Sequence, residues 1–441
     1  MACCHYYQLT PGGDQLFSVD VSKVRFGPGA IDEVGQEARL LGISRVAVFT
    51  DRRVAELSLF SDAMAAIRGA DLDPVVYDTV RVEPTDQSFR EAIQFAADDN
   101  FDGFISIGGG SVMDTCKAAN LYSTHPADFM DYVNAPIGQG LPVPGKLKPH
   151  LACPTTAGTG SECTGIAVFD LLEIECKTGI ASRSMLPDRA IVDPRWTDTL
   201  PSSVMAATGF DAISHALEAL TAKPFSSRPS PVDASARPMS QGANPWSDMA
   251  CREALRQCGE YLVRAVNDDS DHEARHGMMY AATLSGMAFG NGGCHLPHAM
   301  SYPVSGRVSD FFPEGYPHDE PICPHGMSVI VNAPAAYRFT VTGCPDRHLE
   351  GARLLGADTQ EVVASESGEL LARHLQKMMQ VTGIPNGISG VGFTQDHVPG
   401  LAQAAATQQR LLSMAPRPVS EQDLHNLYND ALSYWQPTHF A

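Results

Sequence analysis

The chain has 441 residues, 44% of them hydrophobic and 19% charged, with a formal net charge of −20; that length accommodates two or three domains with their own cores, and the composition excludes a fibrous or disordered protein. An acidic surface argues against nucleic acid or an anionic membrane as partner. No stretch approaches the ~18 consecutive apolar residues of a membrane span, and the start MACCHYYQLTPGGDQLFSVD has neither a signal-peptide pattern nor the Arg-rich character of a transit peptide, so a cytoplasmic location is expected, or the mitochondrial matrix if the source is eukaryotic.

Residues 45–50 (RVAVFT) read as a strand, 74–77 as a second, 85–98 as a helix and 101–107 (FDGFISI) as a third strand. Residues 150–154 and 190–192 read as further short strands. Strands alternating with helices predict a parallel sheet with helices on its faces, an α/β nucleotide-binding domain over residues 1–200. After Pro201 the texture changes: Ala, Leu, Met and charged residues recur at helical spacing, as in 247–266 and 271–289, which predicts an all-α domain over residues 201–441. Five prolines in 223–246 (KPFSSRPSPVDASARPMSQGANPW) make that segment an insertion or long loop. Another irregular segment, 309–324, separates His298 from His325. Eleven cysteines, an odd number with only Cys3 and Cys4 adjacent and no CxxC pair, read as reduced packing residues rather than a disulfide framework or a four-cysteine zinc site.

Gly108, Gly109, Gly110 and Ser111 follow the third strand and open a helix over 112–122. Consecutive glycines let the backbone approach a pyrophosphate, which the free N–H groups and positive end of the following helix attract. The acidic residue that usually follows such a loop comes before it here. Asp51 ends the first strand, where its carboxylate suits an adenosine ribose and repels a 2′-phosphate, favouring NAD over NADP; it equally suits capping the next helix. In PTTAGTGSE (154–162), Thr155, Thr156, Thr159 and Ser161 can bond phosphate or ribose, although a solvated loop has the same composition. Lys117, two turns into the glycine-loop helix, reads as solvated, and the roles of Lys177 and Arg183 are open.

Asp211 and His215 stand four apart in ATGFDAISHALEAL (207–220), with no helix breaker between them, so both side chains lie on one helical face. His298 and His325 follow about a hundred residues later. One carboxylate with three imidazoles suits a divalent cation, Fe(II) or Zn(II), and also Ni, Co or Mn. His295 offers a competing two-histidine turn in CHLPH (294–298), and spacing alone does not separate the two.

These pieces together resemble the iron-containing (group III) alcohol dehydrogenase family: GGGSVMDTCK at 108–117, PTTAGTGSE at 154–162, VDP at 192–194, DAISHALE at 211–218 and PHG at 324–326 occur in that family's order. Within it the chain is most similar to the hydroxyacid-oxoacid transhydrogenase branch, through VRVEPTD (80–86), MDTCKAANLY, the RPxxQGxNPxSD end of the proline-rich segment and HLPHAMSYPVSG (295–306). The resemblance implies a Rossmann-like α/β domain with a parallel sheet, followed by an all-α domain, in the dehydroquinate synthase-like architecture. It implies Asp211, His215, His298 and His325 as ligands of a divalent metal, Fe(II) or Zn(II), leaving His295 outside. The expected cofactor-binding residues are Asp51, Gly108, Gly109, Gly110, Ser111, Asp114, Thr155, Thr156, Thr159, Ser161 and Lys177. Where many relatives carry HGMAHP this chain has HAMSYP, so Tyr302 replaces a histidine often proposed to relay a proton. A phenol has an ordinary pKa near 10, so Tyr302, the expected catalytic residue, hydrogen-bonds a substrate better than it takes a proton.

The implied activity transfers hydride from a hydroxy acid such as 4-hydroxybutyrate, through a bound nicotinamide cofactor, to a 2-oxo acid such as 2-oxoglutarate, with the metal as Lewis acid. The expected state is a homo-oligomer, a dimer. Acidic substrates need a cationic anchor, for which Arg183, Arg237 and Arg307 are candidates. The main alternative is an NAD(P)-dependent alcohol dehydrogenase using free cofactor. A metal hydrolase leaves the glycine loop and Asp51 unexplained, and a nonenzymatic sensor lacks a visible DNA-binding or partner helix.

Overall fold

The computed structural model describes residues 11–436; Cys3 and Cys4 lie outside them. Six parallel strands form one sheet in the order β1 (Lys23–Phe26), β8 (Arg189–Val192), β5 (His150–Pro154), β4 (Gly103–Gly108), β2 (Arg45–Phe49), β3 (Asp73–Tyr77). Strands β2, β4 and β5 are almost continuously buried runs, as expected where helices cover both faces of a parallel sheet. The edge strand β1 (KVRF) is mostly exposed, and at four residues its polar-apolar alternation is too short to stand out from the surrounding chain. The antiparallel hairpin β6 (Ile166–Leu171) and β7 (Cys176–Ala181) adds two strands to those expected: IAVFDL is a β-rich apolar run, whereas CKTGIA, interrupted by Gly179, shows no strand alternation.

The strand order explains the position of Asp51. β2 sits between β3 and β4, so the direction of winding reverses beside it, and ligands bind at that reversal, outside the carboxyl ends of the strands. Asp51 lies just past β2 and the glycine loop just past β4, so the acidic residue precedes the glycines in sequence while adjoining them in space.

Beyond Val192 the chain has no further strand among the described residues, and regular structure is helical. The helix Ser202–Thr221 is the centre of this half: all but three of its 20 residues are buried, so its polar members Asp211, Ser214, His215 and Glu218 are interior groups. Helices Pro245–Asn267 and His272–Gly292 pack on it. The first starts at a capping box, in which Asn244 accepts from the amides of Trp246 and Ser247, with Pro245 in the first turn.

One large hydrophobic cluster runs through both halves, and two smaller ones lie within the α/β half. The proline-rich segment packs against the start of the chain, where Asp14 pairs with Arg228 and Arg237. The TTAGTGSE turn docks on the helical half through two glycines: a Cβ on Gly160 would lie 2.3 Å from the Gly286 Cα, and Gly160 itself has φ +59°. All nine described cysteines are buried and free.

Candidate active site

Asp211 and His215 project from successive turns of Ser202–Thr221. His298 comes from helix Leu296–Gly306, and His325 opens helix His325–Ile330. The PHG glycine permits that last approach: a Cβ on Gly326 would stand 2.2 Å from the Ala207 carbonyl oxygen and 2.6 Å from the Asp211 Cβ. The Nε2 atoms of His215, His298 and His325 lie 3.7, 3.7 and 3.9 Å from Asp211 Oδ1. Donors ~2.1 Å from a common ion stand roughly 3.0–3.4 Å apart, so a small inward adjustment would let all four reach one ion and leave a position on it for a substrate oxygen.

Polar satisfaction gives an independent test of fit. Both Asp211 oxygens and His298 Nε2 are buried with no hydrogen-bond partner, an arrangement that is costly unless a cation binds there. Burial, reinforced by the Glu218 and Glu83 charges, pushes the Asp211 carboxyl up to about 7, and burial together with neighbouring imidazoles holds His215 and His325 well below their ordinary range. His298 shifts the other way, since burial lowers it but Cys294 and Glu218 outweigh that and raise it, so without a cation the cluster retains protons on Asp211 and His298 that a bound cation would displace.

Glu218 supports the cluster, and its role is absent from the sequence reading. Its Oε1 lies 2.5 Å from His298 Nδ1, and its Oε2 accepts from the His295 amide at 2.6 Å. A carboxylate on Nδ1 fixes the tautomer that directs the Nε2 lone pair at a metal. The signal was available, because Asp211, His215 and Glu218 occupy i, i+4 and i+7 of one helical stripe. His215 is oriented by stacking on Phe289, with ring centroids 3.9 Å apart. His295 is committed elsewhere: its Nδ1 accepts from the Leu296 amide, so its Nε2 carries the proton and donates to Thr221 Oγ1 at 2.9 Å.

A cavity of about 410 Å³ runs from this cluster to the end of β2. Asp51, Gly109, Gly110, Ser111, Asp114, Thr155, Thr156, Thr159, Ser161 and Lys177 line it, together with the four metal-site residues and Tyr302. Gly108 does not: it ends β4 beneath the loop, accepts from the Thr155 amide, and its missing side chain leaves room for Val112. Asp51 caps helix Arg52–Ala55 through Oδ1, which accepts from the amides of Arg53 and Val54, and still faces the cavity. Asp114 turns its carboxylate inward, accepting from Ser161 Oγ at 2.6 Å and the Val168 amide at 2.9 Å. Lys117 is not solvated; it is buried and donates to Ser161 and the Ile166 carbonyl, tying the glycine-loop helix to the TTAGTGSE turn.

Lys177 is neutralised by Asp170 and Glu83, each at 2.7 Å; burial opposes its charge, but the two carboxylates outweigh that and raise its pKa. Glu83 joins three parts of the site. Its carboxylate also accepts from the His325 amide, its own amide donates to Ser111 Oγ, and the residue sits at φ +56°, a region sparsely occupied by side chains of this size. Tyr302 is 5% exposed, with its ring 6.3 Å from that of His325. Burial lifts its phenol above the ordinary value, with Arg410 and His298 pulling the other way, so at neutral pH it is a hydrogen-bond donor.

The anticipated basic anchors are placed elsewhere. Arg183 pairs with Asp20 and the carbonyls of Arg237 and Pro238, and Arg237 pairs with Asp14. Arg307 is absent from the cavity wall as well. The cationic side chains that line the cavity, besides the histidines, are Arg53, Lys177 and Arg410.

A parallel α/β sheet at whose switch point a glycine loop opens into a cavity ending at an Asp-His-His-His cluster defines a metal-dependent oxidoreductase. The chain belongs to the iron-containing alcohol dehydrogenase family, matching its N-terminal part over residues 21–194 and its C-terminal part over residues 237–432. It is 44% identical over 424 residues, 96% of this chain and 92% of the relative, to the mitochondrial hydroxyacid-oxoacid transhydrogenase of Xenopus tropicalis, and 44% identical over 432 residues to that of Bos taurus, covering 97% and 93%. Among solved structures, a 1,3-propanediol oxidoreductase superposes with a TM-score of 0.82 at 28% identity, over 94% of this chain and 100% of that one.

Proposed function

We propose that this chain is a hydroxyacid-oxoacid transhydrogenase, moving hydride from a hydroxy acid such as 4-hydroxybutyrate to a 2-oxo acid such as 2-oxoglutarate through a nicotinamide cofactor that stays bound. The observation that carries the reading is the single cavity joining Asp51 and the glycine loop to the four-ligand cluster, where a cofactor lying along one end meets a substrate at the other. A divalent metal held by Asp211, His215, His298 and His325 supplies Lewis acidity toward the substrate hydroxyl, and Fe(II) is the expected ion, with Zn(II) accepting the same ligands.

The chain's own groups supply the rest. The loop backbone at Gly109, Gly110 and Ser111 and the hydroxyls of Thr155, Thr156 and Thr159 bind the cofactor phosphates and ribose. Asp51 presents a carboxylate that accepts ribose hydroxyls and disfavours NADP. Tyr302 donates a hydrogen bond to the substrate oxygen. Lys177, kept charged by Asp170 and Glu83, holds the β7 end of the cavity in place.

Retention of cofactor is supported by the irregular segment 309–324. It contributes Gly315, Tyr316 and Pro317 to the cavity wall and is fastened across the two halves: Arg53 donates to the Gly315 carbonyl, Ser203 to the Glu314 carbonyl, and Arg81 pairs with Glu320. Such a strap slows exit of a long ligand lying beneath it. The mitochondrial names of the relatives make the matrix the proposed location.

The test uses gel-filtered protein with no added nucleotide, given 4-hydroxybutyrate and 2-oxoglutarate. The expected result is equimolar succinic semialdehyde and 2-hydroxyglutarate, with nucleotide recovered only after denaturation. Turnover that requires free NAD and ignores the oxo acid overturns the reading in favour of an ordinary alcohol dehydrogenase.

A further inference from the structure

Arg410 stands on the short helix Gln409–Leu412, fixed by its buried neighbours Leu411 and Leu412 and by Gln408, whose side-chain amide donates to the Lys177 carbonyl. This helix packs on the one that carries Tyr302. Arg410 and Tyr302 are both part of the main cavity wall and both line a recess of about 20 Å³ behind it, so the two side chains form a shared partition.

The cations of the cavity differ in what they have left to offer. Lys177 is spent on two carboxylates. Arg53 lies at the Asp51 end and donates to the Gly315 carbonyl. The Arg410 guanidinium makes no ion pair and no hydrogen bond to any described residue. In a chain of net charge −20, a half-buried arginine that faces a cavity and has no carboxylate partner keeps its guanidinium available to an anionic ligand.

We infer that Arg410 is the specificity-determining residue that binds the carboxylate of the hydroxy acid, and in the second half-reaction that of the oxo acid, while Tyr302 lies between it and the metal cluster. A guanidinium fork receives a carboxylate through two parallel N–H···O bonds, which fixes the substrate's direction as well as its charge. The substrate then spans from Arg410, past the Tyr302 hydroxyl, to the His325 side of the cluster. This rests on the reading of the chain as an enzyme of organic acids. The anchor also accounts for how donor and acceptor share one site, since each carries a carboxylate and exchanges only the alcohol for the ketone.

The test compares 4-hydroxybutyrate with 1,4-butanediol, which has the same chain with an alcohol in place of the carboxylate, in wild type, Arg410→Gln and Arg410→Lys. For Arg410→Gln, kcat/KM on the acid falls about 100-fold or more, mainly through KM, while that on the diol changes less than about threefold. Arg410→Lys, which keeps the charge but loses the fork, recovers about tenfold on the acid. Calorimetry with glutarate, an unreactive dicarboxylate, reads the anchor without turnover and shows weaker binding to Arg410→Gln. Equal losses on acid and diol, or unchanged glutarate binding, overturn the assignment. A wild type that oxidises the acid only with free NAD overturns the transhydrogenase reading alone, because the acid-to-diol ratio still reports on Arg410.

Discussion

Replacing Glu218 by Gln puts the support of the metal site to a direct test. Glu218 is fully buried and accepts from two donors, His298 Nδ1 at 2.5 Å and the His295 amide at 2.6 Å. Glutamine has the same shape but one acceptor oxygen and one NH2 group, so one of those two donors must face another donor. If the NH2 faces His298, the imidazole has to switch tautomer. Its proton then moves to Nε2, the atom aimed at the metal, and the ligand is lost unless the side chain is forced back. If the NH2 faces His295, a buried backbone N–H is left without an acceptor, at a cost of about 1–3 kcal/mol. Both routes also exchange a charge-assisted bond for a neutral one.

Removal of an outer partner of a ligating histidine typically costs 10–100-fold in metal affinity, roughly 1.4–2.8 kcal/mol. The assay is anaerobic competition of Fe(II) or Zn(II) between protein and a coloured chelator, with thermal melting of the metal-free protein alongside. In the first route affinity falls while the metal-free melt is little changed; in the second the melt falls too. A Glu218→Gln protein whose metal affinity lies within about twofold of wild type and whose melt is unchanged would refute the claim that this carboxylate orients His298.

Gly326→Ala drives a Cβ against the Ala207 carbonyl at 2.2 Å, and because backbone cannot give way as a side chain does, the His325 helix must lift from the metal helix; a loss of about 1–3 kcal/mol in stability and a clear drop in bound metal are expected, checked by denaturation and metal analysis. Asp51→Ser keeps the helix cap and removes the charge that opposes a 2′-phosphate, so binding of NADPH relative to NADH should rise about 10–100-fold in a fluorescence titration with stability nearly unchanged. His150 is buried against Ser106 and, through burial and the nearby Lys117 charge, held at about 3 instead of 6.5. The unfolded chain therefore binds a proton that the folded one refuses, so this contribution is complete above pH 6.5 and is lost as pH falls toward 3, amounting to about 2 kcal/mol at pH 5. His150→Gln should shrink the difference in urea stability between pH 7.5 and pH 5 by about that amount.

What was legible in the chain and what was not divides along a physical line. Asp211, His215 and the glycine loop announce themselves because their geometry is local: four residues on a helix, or three glycines at a strand end, fix relative positions whatever the rest of the molecule does. The parallel sheet was readable for a similar reason, since β2, β4 and β5 are apolar runs buried on both faces, whereas β1 is a four-residue exposed edge and β7 takes its strand character from pairing with β6. Lys117 shows the limit of reading a charge by type. An exposed position was expected from its being lysine, and what holds it inside is Asp114 one helical turn earlier together with acceptors 44 to 49 residues away.

Glu83 and Arg410 lie wholly on the far side of that line. Glu83 touches residues 28, 94 and 242 positions away, and a left-handed backbone at a glutamate has no signature in sequence. Arg410 becomes conspicuous only when the partners of the other cavity cations, two carboxylates for Lys177 and the Gly315 carbonyl for Arg53, have been located, because what distinguishes it is the partner it lacks. Arg183, Arg237 and Arg307 each neighbour a recognisable motif in the chain, but Arg183 and Arg237 are neutralised by Asp20 and Asp14, acids from a segment more than 160 residues earlier, and Arg307 stands off the cavity wall. Asp211 and His215 can be read from spacing because one helical turn fixes their geometry, whereas His298 and His325 enter through the family resemblance. The group that selects a substrate has neither signal, and its identity follows from the balance of charge in the folded cavity.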